Sequence, residues 1–272
     1  MNTAFVNGIS MTYGDTGGDG CALLLIHGHP FDRTMWAPQQ DAAPGHRVVT
    51  PDLRGYGGSQ VVPGSTPLGT FARDLAALLD HLEIHEAVVC GLSMGGQIAL
   101  EFHRRFPRRV AGLVLADTFA QADTEEGRQE RYARADRLER EGTAPYAREV
   151  LGSMVCPGTL ARRPEVADHV LGMMLAAPPQ GAAAALRGRA ERPDYTASLA
   201  GIAVPALVVV GREDVFTPVR DAEFLHRHIP GATLTVVEDA GHMPNLERPD
   251  AFNEALVRLL ARVPQARRPA RR

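Results

Sequence analysis

Residues 87–96 read Ala87-Val88-Val89-Cys90-Gly91-Leu92-Ser93-Met94-Gly95-Gly96, and the fold follows from how this stretch changes character. Its first four residues are a short aliphatic run, the pattern of a strand buried on both faces. Beyond it, Ile98, Phe102 and Phe106 recur every fourth residue up to Pro107, which is helical spacing. Between strand and helix stands Gly91-Leu92-Ser93-Met94-Gly95, a G-x-S-x-G sequence. The chain is therefore expected to pass from strand to helix through a turn so tight that it needs glycine on both sides of Ser93. Such a turn lifts the serine out of the sheet and aims the amides and positive end of the following helix at the same point.

Outward from this turn the same alternation repeats. Aliphatic runs at 22–26, 47–50, 110–116, 206–210 and 233–237 each precede Gly, Asp or Pro and predict further buried strands. Helical patterns lie between several of them: Leu68, Phe71, Leu75, Leu78, Leu79 and Leu82 after Thr66-Pro67, and Val219, Ala222, Leu225 and Ile229 after Thr217-Pro218. Strand and helix in alternation predict an α/β fold, a mostly parallel sheet with helices on both faces. The alternation fails between 119 and 200, where helical patterns and Pro/Gly breaks occur without a convincing strand. That segment is expected to form an inserted helical cap, with the core domain in residues 1–118 and 201–262. Within it, 124–141 is densely charged, and Glu130 with Arg134 and Asp136 with Arg140 have the spacing of ion pairs on a solvated helix face. The apolar stretch 170–177 reads as packing.

A serine hydroxyl is a weak nucleophile at neutral pH, so a base must take its proton and a carboxylate must orient that base. His242, in Ala240-Gly241-His242-Met243-Pro244, follows the strand at 233–237 and is the expected base; Asp214 follows the strand at 206–210 and is the expected acid. Asp117, directly after the strand at 110–116, and Glu213 are alternative carboxylates. Asp214 is preferred because Thr217-Pro218 places it in a short loop ahead of a helix, whereas Asp117 has a ready role in turn or capping bonds. For the oxyanion, the loop His27-Gly28-His29-Pro30 can turn the backbone N–H of His29 toward the reacting carbonyl, and Met94 offers the second amide. His27 is expected to brace that loop.

Composition narrows the partners. With 272 residues, 44% hydrophobic and 22% charged, the chain has an ordinary globular make-up, and a formal net charge of −3 gives no field to hold nucleic acid. No apolar run approaches a membrane span, and Met1 to Tyr13 lacks the pattern of a signal peptide. Cys21, Cys90 and Cys156 show neither a disulfide framework nor zinc spacing, so a cytoplasmic protein without a metal is expected. The remaining tail, 263–272, is rich in arginine and proline. A small-molecule substrate is the expected partner, with no nucleic acid and no membrane, and the sequence does not fix an oligomeric state.

Together His27-Gly28-His29-Pro30 to Trp36, Pro51-Asp52-Leu53-Arg54-Gly55-Tyr56-Gly57-Gly58-Ser59, Gly91 to Gly96, Gly211 to Asp214 and Gly241-His242 resemble the α/β-hydrolase superfamily. The likeness is to its cofactor-free haloperoxidase-like esterases and 3-oxoadipate enol-lactonases in particular, and covers almost the whole chain. It implies the α/β-hydrolase fold, no cofactor, Ser93, Asp214 and His242 as catalytic triad, and His29 and Met94 as oxyanion residues. The HGxP stretch is also similar to epoxide hydrolases and haloalkane dehalogenases, but those families carry Asp where this chain has Ser93, which points to acyl transfer. The expected reaction is hydrolysis of a small or medium carboxylic ester or lactone. Rival expectations on the same fold are a thioesterase, a C–C hydrolase, a perhydrolase, a cyclase or lyase, and a ligand receptor with a slow triad. An enol-lactonase would need cationic groups for its dianionic substrate, and Arg134, Arg187 and Arg189 are available in the insertion.

Overall fold

Eight strands form one sheet in the order β1-β2-β4-β3-β5-β6-β7-β8. The computed structural model describes residues 1–264; of the tail expected at 263–272, residues 265–272 lie outside the described residues. The strands are β1 (Asn2–Val6), β2 (Ile9–Asp15), β3 (Ala22–Ile26), β4 (Arg47–Pro51), β5 (Ala87–Leu92), β6 (Val110–Ala116), β7 (Ala206–Gly211) and β8 (Thr233–Val237). From β4 to β8 all neighbours run parallel, while β1 and β2 pair antiparallel with each other and β2 pairs antiparallel with β4.

The six strands expected from aliphatic runs are present, and the N-terminal hairpin is an addition to them. Its signal is the Asn7-Gly8 turn, both residues at positive φ, between strands whose alternation buries Ala4, Val6, Ile9 and Met11. Burial on two faces explains the continuous runs elsewhere. In β3, Ala22, Leu24 and Ile26 join one core cluster while Leu23 and Leu25 join the other, as a period of two requires. The first cluster includes Phe71, Leu75 and Leu79 of α2 (Leu68–His81) and Ile98 and Phe102 of α3 (Met94–Arg105). The second holds Trp36, Phe252 and Leu256.

Between the adjacent strands β6 and β7 the described chain makes six helices and no strand. They are α4 (Glu125–Glu141), α5 (Thr143–Met154), α6 (Pro157–Arg162), α7 (Pro164–Ala176), α8 (Pro179–Ala190) and the short α9 (Thr196–Leu199). α4 packs on α8 and α5 on α7. Val170, Met173 and Met174 of α7 are buried in the second core cluster, in keeping with packing. After β7 come α10 (Val219–His228), the single turn α11 (Pro244–Glu247) and α12 (Pro249–Leu260). No helix among the described residues is long and apolar enough to cross a membrane.

Candidate active site

β5 ends at Leu92 and α3 begins at Met94, so Ser93 alone makes the turn, at φ 57° and ψ −116°. This backbone conformation is strained for a residue with a side chain. It is held by the Ser93 N–H, which donates to the Ala116 carbonyl (2.9 Å), and by Thr118 Oγ1, which donates to the Ser93 carbonyl (2.8 Å). The flanking glycines are required by contact. A side chain on Gly91 would overlap the Gly95 carbonyl, and one on Gly95 would overlap the Ile26 carbonyl.

Ser93 and His242 open onto one cavity. His242 Nδ1 lies 2.8 Å from Asp214 Oδ2, and both side chains are buried. Asp214 Oδ1 accepts from the backbone N–H groups of Phe216 (2.8 Å) and Thr217 (3.2 Å), while Oδ2 also accepts from Thr217 Oγ1. Burial by itself would raise this carboxyl; the electrostatic attraction and hydrogen bond of the neighbouring His242, with these donors, outweigh it and hold Asp214 below the usual carboxylate range. The ring of Phe216 meets the His242 imidazole edge-on, with centroids 5.1 Å apart.

Asp117 also reaches the cavity, at the end of β6 with φ 44°. Its Oδ1 accepts from the Gly211 N–H (2.9 Å), and its buried Oδ2 has no hydrogen-bond partner among the described residues. Burial pushes this carboxyl well above the carboxylate range, and the nearby charge of Asp214 adds to the effect. One ligand atom from each of Asp117, Asp214 and His242 falls within 4.8 Å of the others. The hydrogen bond from His242 to Asp214 already joins two of these three, so a cation would have to replace it. Glu213 makes a backbone bond to the Ala240 carbonyl (2.9 Å) and is absent from the cavity wall.

The upward shift of Asp117 has a consequence for stability. An Asp whose folded pKa is raised binds more protons folded than unfolded between the unfolded value, about 3.9, and the folded one, so stability falls as pH rises through that window by up to about 1.4 kcal/mol per pH unit. Asn carries no such proton. Asp117→Asn should therefore melt close to wild type at pH 4 and several degrees higher at pH 8, measured by thermal unfolding. The same difference at both pH values would show that Asp117 is charged in the fold.

The loop after β3 places His29 on the cavity wall, and Met94 sits in the first turn of α3. His27 braces the loop as expected: its Nδ1 contacts the Gly28 carbonyl (2.8 Å) and its Nε2 accepts from the Leu53 N–H (2.9 Å). His29 Nδ1 meets Tyr56 Oη at 2.7 Å, and its buried Nε2 has no hydrogen-bond partner among the described residues. Burial, then the charges of Arg189, Arg131 and Arg134, push this imidazole well below its ordinary value, so it is neutral.

Those arginines correct the expectation for the insertion. Arg134 and Arg189 face the cavity, whereas Arg187 turns away to ion-pair with Asp136 (2.7 Å) and Glu139 (2.8 Å). The pairs Glu130–Arg134 and Asp136–Arg140 are not among the ion pairs of the described residues. Arg134 instead lies over the Tyr146 ring, and Asp136 is taken by Arg187. Arg131, unforeseen, also faces the cavity and pairs with Asp123 (2.5 Å). A stripe on α4 could have revealed it, since Ala135 and Leu138, four and seven residues on, are buried on the same face. Arg189 is 7% exposed, bonds only through Nε to Gln97 Oε1 (3.1 Å), and like Arg134 has no ion-pair partner among the described residues. Burial and the charges of Arg131 and Arg192 press its guanidinium well below the arginine range. Because arginine stays charged in proteins, this measures the cost of an uncompensated buried cation, which a bound anion would offset.

The mostly parallel sheet, the serine turn at the end of β5 and the helices between β6 and β7, which share a cavity with Ser93 and His242, are the architecture of the α/β-hydrolase fold. The chain belongs to the alpha/beta hydrolase family, whose model matches residues 23–255. It is 31% identical to 3-oxoadipate enol-lactonase 2 of Acinetobacter baylyi, covering 96% of this chain and 97% of that one. Among solved structures it resembles a thermophilic esterase from Thermogutta terrifontis with malate bound (40% identity, TM-score 0.93, covering 96% of this chain and 98% of that one). It also resembles the enol-lactonase from Burkholderia xenovorans LB400 (30% identity, TM-score 0.89, covering 96% and 100%).

Proposed function

We propose that the chain hydrolyses a carboxylic ester or lactone whose acid or alcohol part carries a further carboxylate. In this reading Ser93 attacks the carbonyl, His242 takes the serine proton and returns it to the leaving group, and Asp214 orients the imidazole. The backbone N–H groups of His29 and Met94 hold the oxyanion. The insertion, 119–200, acts as a cap that closes over the substrate and supplies the charge. The observation that carries the substrate class is the pair Arg134 and Arg189, cations without carboxylate partners among the described residues, on the cavity that Ser93 and His242 share. A neutral ester would leave both uncompensated; a carboxylate accepts from them. The relatives' names support the reading, since they include lactonases of oxoadipate and an esterase with the dicarboxylate malate bound. A reducing, cytoplasmic setting belongs to the proposal, supported by Cys21, Cys90 and Cys156 as free thiols.

Comparison of p-nitrophenyl acetate with mono-p-nitrophenyl succinate tests the substrate class. Arg189→Met should raise KM for the succinate about 10- to 100-fold, the worth of a hydrogen bond to a charged group, and change that for the acetate little. Equal effects on both esters would remove the carboxylate from the proposal.

A further inference from the structure

The loop that carries His242 is fastened by a side chain with no place in the chemistry above. Glu247, at the end of α11, is fully buried and folds back toward the loop. Its Oε1 accepts from the N–H of Gly241 (2.8 Å) and of Met243 (3.3 Å), the residues on either side of His242. Its Oε2 accepts from the N–H of Cys156 (2.7 Å) and from Thr159 Oγ1 (2.7 Å), at the start of α6 in the insertion. The two segments also touch directly. A side chain on Gly241 would come within 2.8 Å of the Cys156 nitrogen, and Arg163 Nη1 donates to the Glu247 carbonyl (2.7 Å).

Four donors converging on one buried carboxyl group is a costly arrangement where no cation faces it, because such a group loses its hydration and any missing donor leaves it unsatisfied. Arg163 bonds the backbone of Glu247 and not its side chain, and the adjacent Arg248 pairs with Asp239 instead. The donors divide evenly, two from the His242 loop and two from the insertion. On the insertion side the chain has just left Met154, which lines the cavity at the end of α5. A shift of this wall therefore reaches the amides that flank His242 through the Glu247 carboxyl group, beside the direct contacts that Cys156 and Arg163 make with the same loop.

We propose that Glu247 is a positioning residue: it fixes the loop of His242 and couples that loop to the wall of the insertion over the substrate. The inference rests on His242 being the general base. Misplacement of a catalytic group by about 1 Å costs up to about 100-fold in rate. Gln keeps the size of Glu247 but has one accepting oxygen, so at least one of the backbone N–H groups of Gly241, Met243 and Cys156 loses its acceptor. Glu247→Gln should lower kcat about 10- to 100-fold while KM changes by less than about 3-fold. Thr159→Val removes the bond to Glu247 Oε2, together with the contact of that hydroxyl with Cys156 Sγ (3.3 Å), and leaves the two bonds on the His242 side untouched; it should lower kcat about 3-fold or more. Since both act through one carboxyl group, the double variant should fall no further than Glu247→Gln. The His242 Nδ1–H proton signal in NMR of the unliganded protein, read without turnover, should shift or broaden in both variants.

Wild-type kcat in folded Glu247→Gln would overturn the proposal, and so would a double variant that multiplies the two single losses. Should Glu247→Gln fail to fold, Thr159→Val decides alone: wild-type kcat with only a lowered Tm makes Glu247 a structural brace and refutes the coupling. The NMR signal separates this proposal from the hydrolase reading. Unmoved signals in both variants sink the positioning role whatever the enzyme turns over. Moved signals in a protein that never acylates Ser93 would support positioning of His242 and sink the serine mechanism.

Discussion

Ser93→Ala should lower turnover of an activated ester by about 10⁴-fold or more while leaving the fold intact. The fold should survive because the turn is held by main-chain groups: Ala retains the N–H that donates to the Ala116 carbonyl and the carbonyl that accepts from Thr118. Only the hydroxyl is lost, and in the proposed mechanism every acyl transfer passes through it. Wild-type protein mixed with the ester should release a burst of leaving group and gain mass on the peptide containing Ser93; the variant should do neither. An activated ester can acylate a nucleophile that plays no part in the natural reaction. The natural substrate must therefore also be tried, and full activity of Ser93→Ala there would leave the fold standing and sink the mechanism. A cyclase or lyase that uses His242 as an acid–base group alone would give that outcome.

Much of the arrangement was legible in the sequence because one physical requirement wrote it there. A strand buried on both faces must be aliphatic throughout, so β3, β5, β6 and β7 announce themselves as runs closed by Gly or Asp, whereas the half-buried edge strand β8 mixes Thr with Leu and Val; strand ends are where the site residues stand. The hairpin of β1 and β2 was written in a weaker code, alternation around Asn7-Gly8, because one of its faces is exposed. The insertion was less readable for a related reason. Helices show which residues are charged, but not which charges turn inward. In α4, Arg131 and Arg134 lie on the cavity while Arg137 ion-pairs with exposed Glu141 and Glu149 at the surface. Arg187 and Arg189 are two residues apart on α8, and that step alone sends one to the surface and the other into the cavity. Glu247 gave no sign at all, since its meaning depends on Cys156 and Thr159, some ninety positions earlier in the chain.

Asp214→Asn should lower kcat/KM by about 10⁴-fold, and Asp117→Asn by less than about tenfold. The difference follows from the donors around each carboxyl group. Asp214 Oδ1 accepts from two backbone N–H groups, those of Phe216 and Thr217, which no side-chain movement can withdraw. An asparagine amide at 214 must therefore place its oxygen there and its NH2 group where Oδ2 now faces His242 Nδ1. The NH2 group donates, so the facing nitrogen must accept, and the imidazole proton moves to Nε2. In that tautomer the lone pair needed to take the Ser93 proton is gone, while the geometry is otherwise preserved. At 117 the exchange has the opposite character. Burial and the charge of Asp214 push this carboxyl group well above the carboxylate range, its Oδ1 accepts from the Gly211 N–H, and an Asn oxygen can take over that bond with its NH2 group toward Asp214. Measuring kcat/KM for both variants on one ester decides the assignment: the larger loss at 117 would make Asp117 the orienting acid, and equal losses would mean that the two carboxyl groups share that role.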